Sequence, residues 1–316
     1  MNLLKKTLCL SLLTVTSAVS AKETPVSITV DKIQLHGTLS TPDHGKSVAS
    51  AVIIAGSGPT DRNGNSRLLP GNNDSLKMLA NGLAAQSITT LRFDKRMIGE
   101  STDPTLSEPE LRFDHYVNDA IEWAKHLEQT SDQPAWLIGH SEGAHIAMVA
   151  AAERDFAGLV VLAGPGQHPA DLIAQQLSVQ LPAPLLAQSK DILTSLRNGE
   201  TVEDTPPMLA ALFRPSVQPY VISWFAHDPV ETFESVEEPA LLVFGTTDIQ
   251  VPTSDGELLA NARDDAKFAI IDGMNHILKS VGADPSAQQS SYADPSLPLH
   301  DALIPTITDF VLAHTR

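Results

Sequence analysis

The sequence predicts an α/β fold, in which a mostly parallel sheet of eight strands carries helices on both faces. Short apolar segments alternate with amphipathic segments along most of the chain, as expected when strands and helices alternate. Two of the short segments, 48–55 and 240–244, are apolar almost throughout. Such runs are typical of parallel strands that are buried on both faces of a sheet.

The periodicity assigns each element in order. Strands are predicted at 26–30, 33–40, 48–55, 88–94, 134–139, 159–163, 240–244 and 267–271. Helices are predicted at 74–86, 113–128, 142–153 and 303–314, and Asp74 is the expected N-cap of the first. The amphipathic pattern is clearest in 113–128, where apolar residues recur every three or four positions.

One long segment interrupts this alternation. Residues 165–238 contain no clear strand, and their leucines, isoleucines and prolines indicate short helices. We therefore expect a helical cap insertion between two parts of one core, residues 22–164 and 239–316. The cap would cover the carboxyl edge of the sheet, where such folds place functional groups.

The first 21 residues have the pattern of a secretory signal peptide. Lys5 and Lys6 precede the apolar run 8–15, and small residues end at Ala21. The run is well short of the roughly 20 residues that span a bilayer, so no lasting membrane anchor is expected after cleavage. A periplasmic or secreted location follows. The only cysteine, Cys9, lies in this segment, so the mature chain would have no thiol.

Charge narrows the choice of partners. The chain has 21 basic and 38 acidic residues, and loss of Lys5 and Lys6 would leave 19 basic residues and a net charge of −19. So acidic a surface argues against nucleic acid or anionic lipid as a partner. The sequence does not indicate the oligomeric state.

The segment 139–143, Gly-His-Ser-Glu-Gly, matches G-x-S-x-G. A predicted strand precedes it and a predicted helix follows, which is the context of a nucleophile elbow. The sharp turn strains the backbone of Ser141, and the glycines two residues away avoid clashes. The helix N-terminus directs its amides to the place where an oxyanion would form.

A serine hydroxyl needs a base to remove its proton and an acid to orient that base. In enzymes with this elbow the chain order is serine, then Asp or Glu, then histidine. Asp248 follows the strand 240–244 and His276 follows the last strand, so Ser141, Asp248 and His276 are the predicted catalytic residues. His140, next to the nucleophile, is expected to point away from it.

Two other carboxylates are alternatives to Asp248. Asp272 is four residues from His276 and is expected to hydrogen-bond within its own turn. Asp255 lies where the next helix begins and has the position of a capping residue. Asp248 is favoured over both because it comes directly after a strand end.

The oxyanion hole requires two backbone N–H groups, and we predict those of Ser57 and Glu142. Ser57 lies in the loop that follows the strand 48–55, whereas Pro59 in the same loop has no N–H to donate. Residues 61–72 faintly resemble a calcium loop but lack its glycine and its final glutamate, so calcium is rejected. No metal-ligand spacing or nucleotide-binding motif occurs, and neither a metal nor a cofactor is expected.

From Ile33 to the C-terminus the chain resembles bacterial α/β-hydrolases of the EstD-like carboxylesterase and serine-aminopeptidase-like group. The resemblance rests on residues 56–64, 92–96 with Gly99 and Ser101, 139–143, 245–248, 275–276 and 294–299. It implies the α/β-hydrolase fold and hydrolysis of small carboxylic esters, usually with short acyl chains, without a cofactor. Met97 departs from the group, which usually has glycine at this position.

The sequence therefore predicts a serine hydrolase that transfers an acyl group from a carboxylic ester to water. An amidase or peptidase acting on small peptides or cell-wall fragments is an alternative with the same chemistry. A ligand-binding relative without activity is an alternative of another class. Apolar cap residues are expected to shape the substrate pocket, namely Met208, Phe213, Tyr220, Trp224 and Phe225.

Overall fold

A computed structural model describes residues 21–131 and 133–315. The predicted signal peptide therefore lies outside the described residues, apart from Ala21. In the described part the chain forms eight strands: β1 (Lys22–Val30), β2 (Ile33–Thr41), β3 (Ala49–Ile54), β4 (Ile88–Phe93), β5 (Ala135–His140), β6 (Gly158–Leu162), β7 (Ala240–Gly245) and β8 (Lys267–Ile271).

These strands form one sheet in the order β1-β2-β4-β3-β5-β6-β7-β8. Strand β2 runs antiparallel to its two neighbours, and all pairs from β4 to β8 are parallel. The sheet is thus mostly parallel, as the sequence predicts. Strands β3 to β7 are buried along their whole length, which explains why sequences such as those of β6 and β7 are apolar throughout.

Strand β1 starts four residues earlier than the sequence predicts. Its first residues are polar and exposed, so hydropathy gives no strand signal there. Backbone pairing with β2 nevertheless extends to Lys22 opposite Thr41. The side chain of Glu23 also pairs with Arg92, whose Nη2 lies 2.7 Å from Glu23 Oε1.

Helices connect the strands, and within the described residues they are α1 (Ser75–Ala85), α2 (Phe113–Ser131), α3 (Glu142–Glu153), α4 (Pro169–Ser178), α5 (Ala183–Arg197), α6 (Ala210–Phe213), α7 (Gln218–Phe225), α8 (Pro229–Glu234), α9 (Thr253–Ala262), α10 (Pro285–Ser291) and α11 (Leu303–His314). Asp74 precedes α1 but does not cap it. Its backbone is left-handed, with φ at 52°, and its carboxylate accepts a hydrogen bond from Asn65 Nδ2 instead.

Each face of the sheet has its own apolar core. On one face, α1 and α11 pack against side chains such as Ile53 and Ile138. On the other, α2 and α3 pack against Val52, Ile54 and Leu137. Helices α4–α8 lie between β6 and β7 in the chain and belong to this second core, so the helical segment packs on the side of α2 and α3.

None of the helices in the described residues is long and apolar enough to cross a bilayer.

Candidate active site

Ser141 lies in the sharp turn between β5 and α3. Its φ and ψ are 55° and −123°, a conformation that non-glycine residues rarely adopt. The turn is held by two backbone hydrogen bonds, from Ser141 N to Leu162 O and from Ala144 N to Ser141 O, each 2.9 Å long. The residue lines a cavity at the carboxyl edge of the sheet.

The glycines on either side of Ser141 allow close packing at this turn. A Cβ atom at Gly139 would lie 2.2 Å from Gly143 O, and one at Gly143 would lie 2.3 Å from Ile54 O. Both separations are far inside van der Waals contact, and the obstacle in each case is backbone that cannot rotate away. The steric reason for the G-x-S-x-G pattern is therefore visible at both glycines.

Asp248 and His276 lie side by side on the loops after β7 and β8. His276 Nδ1 is 2.8 Å from Asp248 Oδ2, and both side chains are buried. Because the carboxylate can only accept, Nδ1 carries the proton and Nε2 is left with its lone pair. The backbone N–H groups of Gln250 and Val251 donate to Asp248 Oδ1, at 2.7 and 2.9 Å, and fix the carboxylate.

The two other carboxylates do not contact His276. Asp272 is exposed and accepts a hydrogen bond from the hydroxyl of Thr246. Asp255 is completely buried, but it is not the N-cap of α9 as the sequence suggests. Its Oδ1 instead accepts from the N–H groups of Gly166 and Gln167, at 2.8 and 2.9 Å, and holds the loop that leads into α4.

Ser141 and His276 line the same cavity. In the part of the chain that the structure describes, no hydrogen bond joins the Ser141 hydroxyl to His276. In hydrolases without a bound substrate this contact is often long, and it tightens when the substrate arrives.

The N–H groups of Ser57 and Glu142 are available to a ligand. Neither amide donates a hydrogen bond within residues 21–131 and 133–315. Glu142 is the first residue of α3, so its N–H has no acceptor within the helix. The loop after β3 passes close to the serine, since a Cβ atom at Gly56 would lie 3.2 Å from Ser141 Cβ.

A buried ion pair beside these amides is not predicted from the sequence. Lys95 Nζ donates to Glu142 Oε2 and to Gly56 O, each at 2.7 Å. Tyr220 of α7 donates its hydroxyl proton to Glu142 Oε1, at 2.8 Å. Sequence patterns assign no role to the Glu142 side chain. The available signal was the position of Lys95 directly after a predicted strand, in one of the motifs that carry the resemblance.

The structure places His140, the residue before the nucleophile, beside the loop that carries His276. Its ring also lines the cavity, and Nε2 lies 2.7 Å from the backbone oxygen of His276. Since a carbonyl only accepts, Nε2 carries the proton. Burial, together with the nearby His276, lowers the pKa of His140 to about 3, so the ring is neutral at physiological pH. It holds the loop that carries His276.

The cavity beneath the cap has a volume of about 710 Å³ and mainly apolar walls. Phe213, Tyr220 and Trp224 line it, as the sequence suggests, but Met208 and Phe225 do not. Met208 lies in a short 3₁₀ turn and is 74% exposed. Phe225 ends α7 and is buried against the ring of His168. The sequence shows that these five residues are apolar or aromatic, but it does not show which of them face the cavity.

Other lining residues come from loops that sequence patterns leave unassigned. They include Leu68, Leu69, Met97, Ile98 and Ile277. Met97 occupies a left-handed conformation, with φ at 70°, which explains why glycine is usual at this position in similar proteins. In this chain the methionine side chain forms part of the cavity wall.

Comparison with known proteins places this architecture in a family. The model of the family described as serine aminopeptidase, S33, matches residues 73–279, which is more than half of the chain and includes Ser141, Asp248 and His276. The chain belongs to this family of hydrolases. The fold predicted from the sequence and the resemblance to EstD-like α/β-hydrolases are thereby confirmed.

Individual relatives agree with this assignment. The chain is 28% identical to esterase EstD of Thermotoga maritima over 260 residues, which cover 78% of this chain and 58% of EstD. The chain thus spans less than two thirds of the length of that relative. Among solved structures, Est1E of Butyrivibrio proteoclasticus has a TM-score of 0.61 at 17% identity, covering 93% of this chain and 98% of its own. A proline iminopeptidase of Mycobacterium smegmatis has a TM-score of 0.59 at 14% identity, covering 92% and 99%. At these identities the two structures show a common fold only.

The described residues contain no group of three His, Cys, Asp or Glu side chains placed to bind a metal ion.

A further buried histidine, His145, lies in α3. His145 Nδ1 accepts a hydrogen bond of 2.9 Å from Trp224 Nε1, and its Nε2 has no partner among the described residues. Burial, together with His227 and His168 nearby, lowers the pKa of His145 to about 3. Like His140, it resists protonation while the chain is folded.

We expect the protein to lose stability as the pH falls below about 6.5. In the unfolded chain both histidines take a proton near their ordinary pKa of about 6.5, whereas in the folded chain they resist it until about pH 3. The free energy of unfolding should fall by about 1.4 kcal/mol per pH unit for each histidine between these limits. Urea unfolding between pH 7 and pH 4 measures this slope.

The variant His145→Gln isolates one of the two groups. The free energy of unfolding of this variant should change less steeply with pH, by about 1.4 kcal/mol per pH unit, because one fewer proton is taken up on unfolding. Burial also raises the pKa of Asp119 to about 6, against the opposing effect of Arg96, and this carboxyl works in the opposite sense. Because Asp119 is present in both proteins, its contribution cancels in the difference. An unchanged slope would show that His145 is not kept neutral by burial.

Proposed function

We propose that the protein is an exported carboxylesterase that acts through an acyl-enzyme on Ser141. Ser141 Oγ attacks the ester carbonyl while His276 Nε2 accepts its proton. His276 then protonates the leaving alcohol, and the acyl group remains on Ser141. In the second half, His276 takes a proton from water, the hydroxide attacks the acyl group, and the acid leaves as Ser141 recovers its proton.

The geometry supports a distinct role for each remaining group. Asp248 holds the proton on His276 Nδ1 and stabilises the imidazolium that forms during each attack. The N–H groups of Ser57 and Glu142, which have no acceptor in the described part of the chain, would bind the oxyanion. Fixed amides are effective here because they need no reorganisation when negative charge develops.

The charges in the cavity favour a neutral ester over a peptide with a free amino group as the substrate. An aminopeptidase needs an uncompensated negative group to bind the α-ammonium of its substrate. Among the described residues, only two carboxylates line the cavity, Glu108 and Glu142, and each already has a cation. Glu108 pairs with Arg214 and also accepts from the Ser216 hydroxyl, and Glu142 pairs with Lys95.

The size and polarity of the cavity indicate which acyl and alcohol groups the ester would have. About 710 Å³ lies in the range of pockets that hold drug-sized ligands. A short acyl chain, which the resemblance implies, would fill only part of this space. We therefore propose a short acyl chain combined with a larger, apolar alcohol or aryl group.

Export rests on the signal-peptide pattern of residues 1–21. Amino-terminal sequencing of protein recovered from the periplasm or medium of a bacterial host should give Lys22 as the first residue. Retention of the leader on cytoplasmic protein would contradict export without affecting the proposed chemistry.

The preference for a neutral acyl group can be measured with two aryl esters that differ at one position. We expect kcat/KM for p-nitrophenyl butyrate to exceed that for the 2-aminobutyrate ester by at least about 10-fold, as burial of an unpaired ammonium is costly. Using esters for both removes the intrinsic difference between ester and amide. Preference for the amino ester, together with release of p-nitroaniline from aminoacyl anilides, would favour the peptidase alternative.

A further inference from the structure

We propose that the buried Lys95–Glu142 ion pair positions both amides of the oxyanion hole. This inference rests on the proposed function, because it assigns a task to side chains that do not themselves contact the reacting atoms. Lys95 and Glu142 are positioning residues in this proposal. The contacts that support it join the Lys95 ammonium to the residue before Ser57 and to the side chain of Glu142.

The first contact sets the direction of the Ser57 amide. Lys95 Nζ donates to the carbonyl oxygen of Gly56 at 2.7 Å. That oxygen and the N–H of Ser57 belong to one planar trans peptide unit, so they point in opposite directions. An ammonium that fixes the oxygen therefore also fixes the direction of the N–H. The positive charge polarises the peptide as well, which strengthens the N–H as a donor.

The second contact involves the residue that supplies the other amide. Lys95 Nζ donates to Glu142 Oε2 at 2.7 Å, and the Glu142 N–H is the first amide of α3. Because α3 begins at Glu142, tethering its side chain restrains the first turn of the helix. One ammonium group thus links the loop after β3 to the start of α3, the helix that Ser141 directly precedes.

A purely stabilising role explains this pair poorly. The side chains of Lys95 and Glu142 are 1% and 3% exposed, so both charges have lost nearly all contact with water. A buried ion pair of this kind is often no more stabilising than apolar side chains of the same size. Its location against both predicted oxyanion donors gives it a function that packing alone does not supply.

The cap contributes to the same arrangement. The hydroxyl of Tyr220 donates to Glu142 Oε1, and the Lys95 ammonium lies 4.9 Å from the ring centre of Tyr116. Burial and the negative charge of Glu142 raise the pKa of Tyr220, so its hydroxyl keeps its proton and remains a donor. The carboxylate is thus held on one oxygen by the core and on the other by α7.

The test removes both charges at once, because loss of Lys95 alone would leave a buried carboxylate without a partner and could prevent folding. The double variant Lys95→Met with Glu142→Gln replaces the ammonium by an unbranched apolar side chain, keeps the length of Glu142 and leaves an acceptor for Tyr220. The control is Arg154→Met with Glu128→Gln, which removes a partly buried ion pair at the other end of α3. Both variants are compared with the unaltered protein for melting temperature and for kcat and KM on p-nitrophenyl butyrate.

We expect the Lys95/Glu142 variant to lose about 10- to 100-fold in kcat, somewhat less than the loss of a whole oxyanion donor, with KM nearly unchanged. A trifluoromethyl ketone forms an oxyanion on the serine, so its inhibition constant should rise by a similar factor. The control variant should keep both values even if its melting temperature falls.

Two results would overturn the inference. One is unchanged kcat and inhibitor affinity in a folded Lys95/Glu142 variant. The other is an equal loss in the control variant, which would trace the effect to stability. Failure of the proposed function itself would be recognised separately, because p-nitrophenyl butyrate would then not be hydrolysed by the unaltered protein.

Discussion

Replacing Ser141 with alanine is expected to abolish ester hydrolysis and to leave the protein folded. The nucleophile is lost outright, and removal of such a residue typically lowers kcat by on the order of 10⁴ to 10⁶. The fold should survive, since the hydroxyl makes no hydrogen bond within the described residues. The measurements are kcat on p-nitrophenyl butyrate and the circular dichroism spectrum of both proteins.

Labelling with an aryl phosphonate provides the control for this variant. The unaltered protein should gain one phosphonyl group, located on Ser141 by peptide mass spectrometry, and the alanine variant should gain none. Activity of the alanine variant within tenfold of the unaltered protein would end the proposed mechanism. A folded native protein that neither reacts with the phosphonate nor hydrolyses esters would instead favour the ligand-binding alternative.

The second large effect is expected for Asp248→Asn. The amide has the shape of the carboxylate but can donate to His276 Nδ1, which would move the ring proton to Nε2 and remove the base from Ser141. A loss of about 10⁴ in kcat accompanies the corresponding change in other serine hydrolases. The variant should keep the acceptor oxygen that binds the Gln250 and Val251 amides, so the loop should remain in place.

The matched control is Asp272→Asn on the neighbouring loop. Asp272 is exposed and bonded to Thr246, so its loss should change kcat/KM by less than about tenfold. Near-full activity of the Asp248 variant with collapse of the Asp272 variant would reverse the assignment of the acid. The serine hydrolase mechanism would survive that outcome.

The sequence predicts the sheet well because its central strands are buried on both faces. Continuous apolar runs such as residues 240–244 are too short for a typical helix and too apolar for a surface loop, which leaves a buried strand. The turn at Ser141 is equally readable, since Gly139 and Gly143 are required by backbone contacts that any side chain would violate. Burial and local steric constraints therefore select residue types that can be recognised in the sequence.

Polar contacts between distant segments cannot be recognised in the sequence in this way. Asp74 and Asp255 both stand where helix caps are common, yet their carboxylates bond to Asn65 and to the loop at Gly166. The Lys95–Glu142 pair joins residues 47 positions apart. Only the fold brings these groups together, so their roles become visible with the structure.

The helical segment between β6 and β7 shows a second limit of prediction from the sequence. Its apolar residues have to cover the sheet, pack against each other and line the cavity, and all three tasks select the same residue types. Trp224 and Phe225 are adjacent aromatic residues in one helix, but only Trp224 reaches the cavity. The choice between them depends on how α7 is rotated, which the residue pattern alone does not fix.

Because Glu23 pairs with Arg92, the position at which the amino terminus is cut should affect the folded protein. The guanidinium of Arg92 is almost completely buried and also donates to Ser40 Oγ and to Asn63 Oδ1. A protease that removed Lys22 alone would leave this arrangement intact, whereas one that also removed Glu23 would leave a buried cation without its carboxylate. Asn63 belongs to the same loop as Ser57, so we expect loss of Glu23 to disturb the loop that carries one of the proposed oxyanion donors. We therefore expect the activity to depend on where the proposed leader is cut.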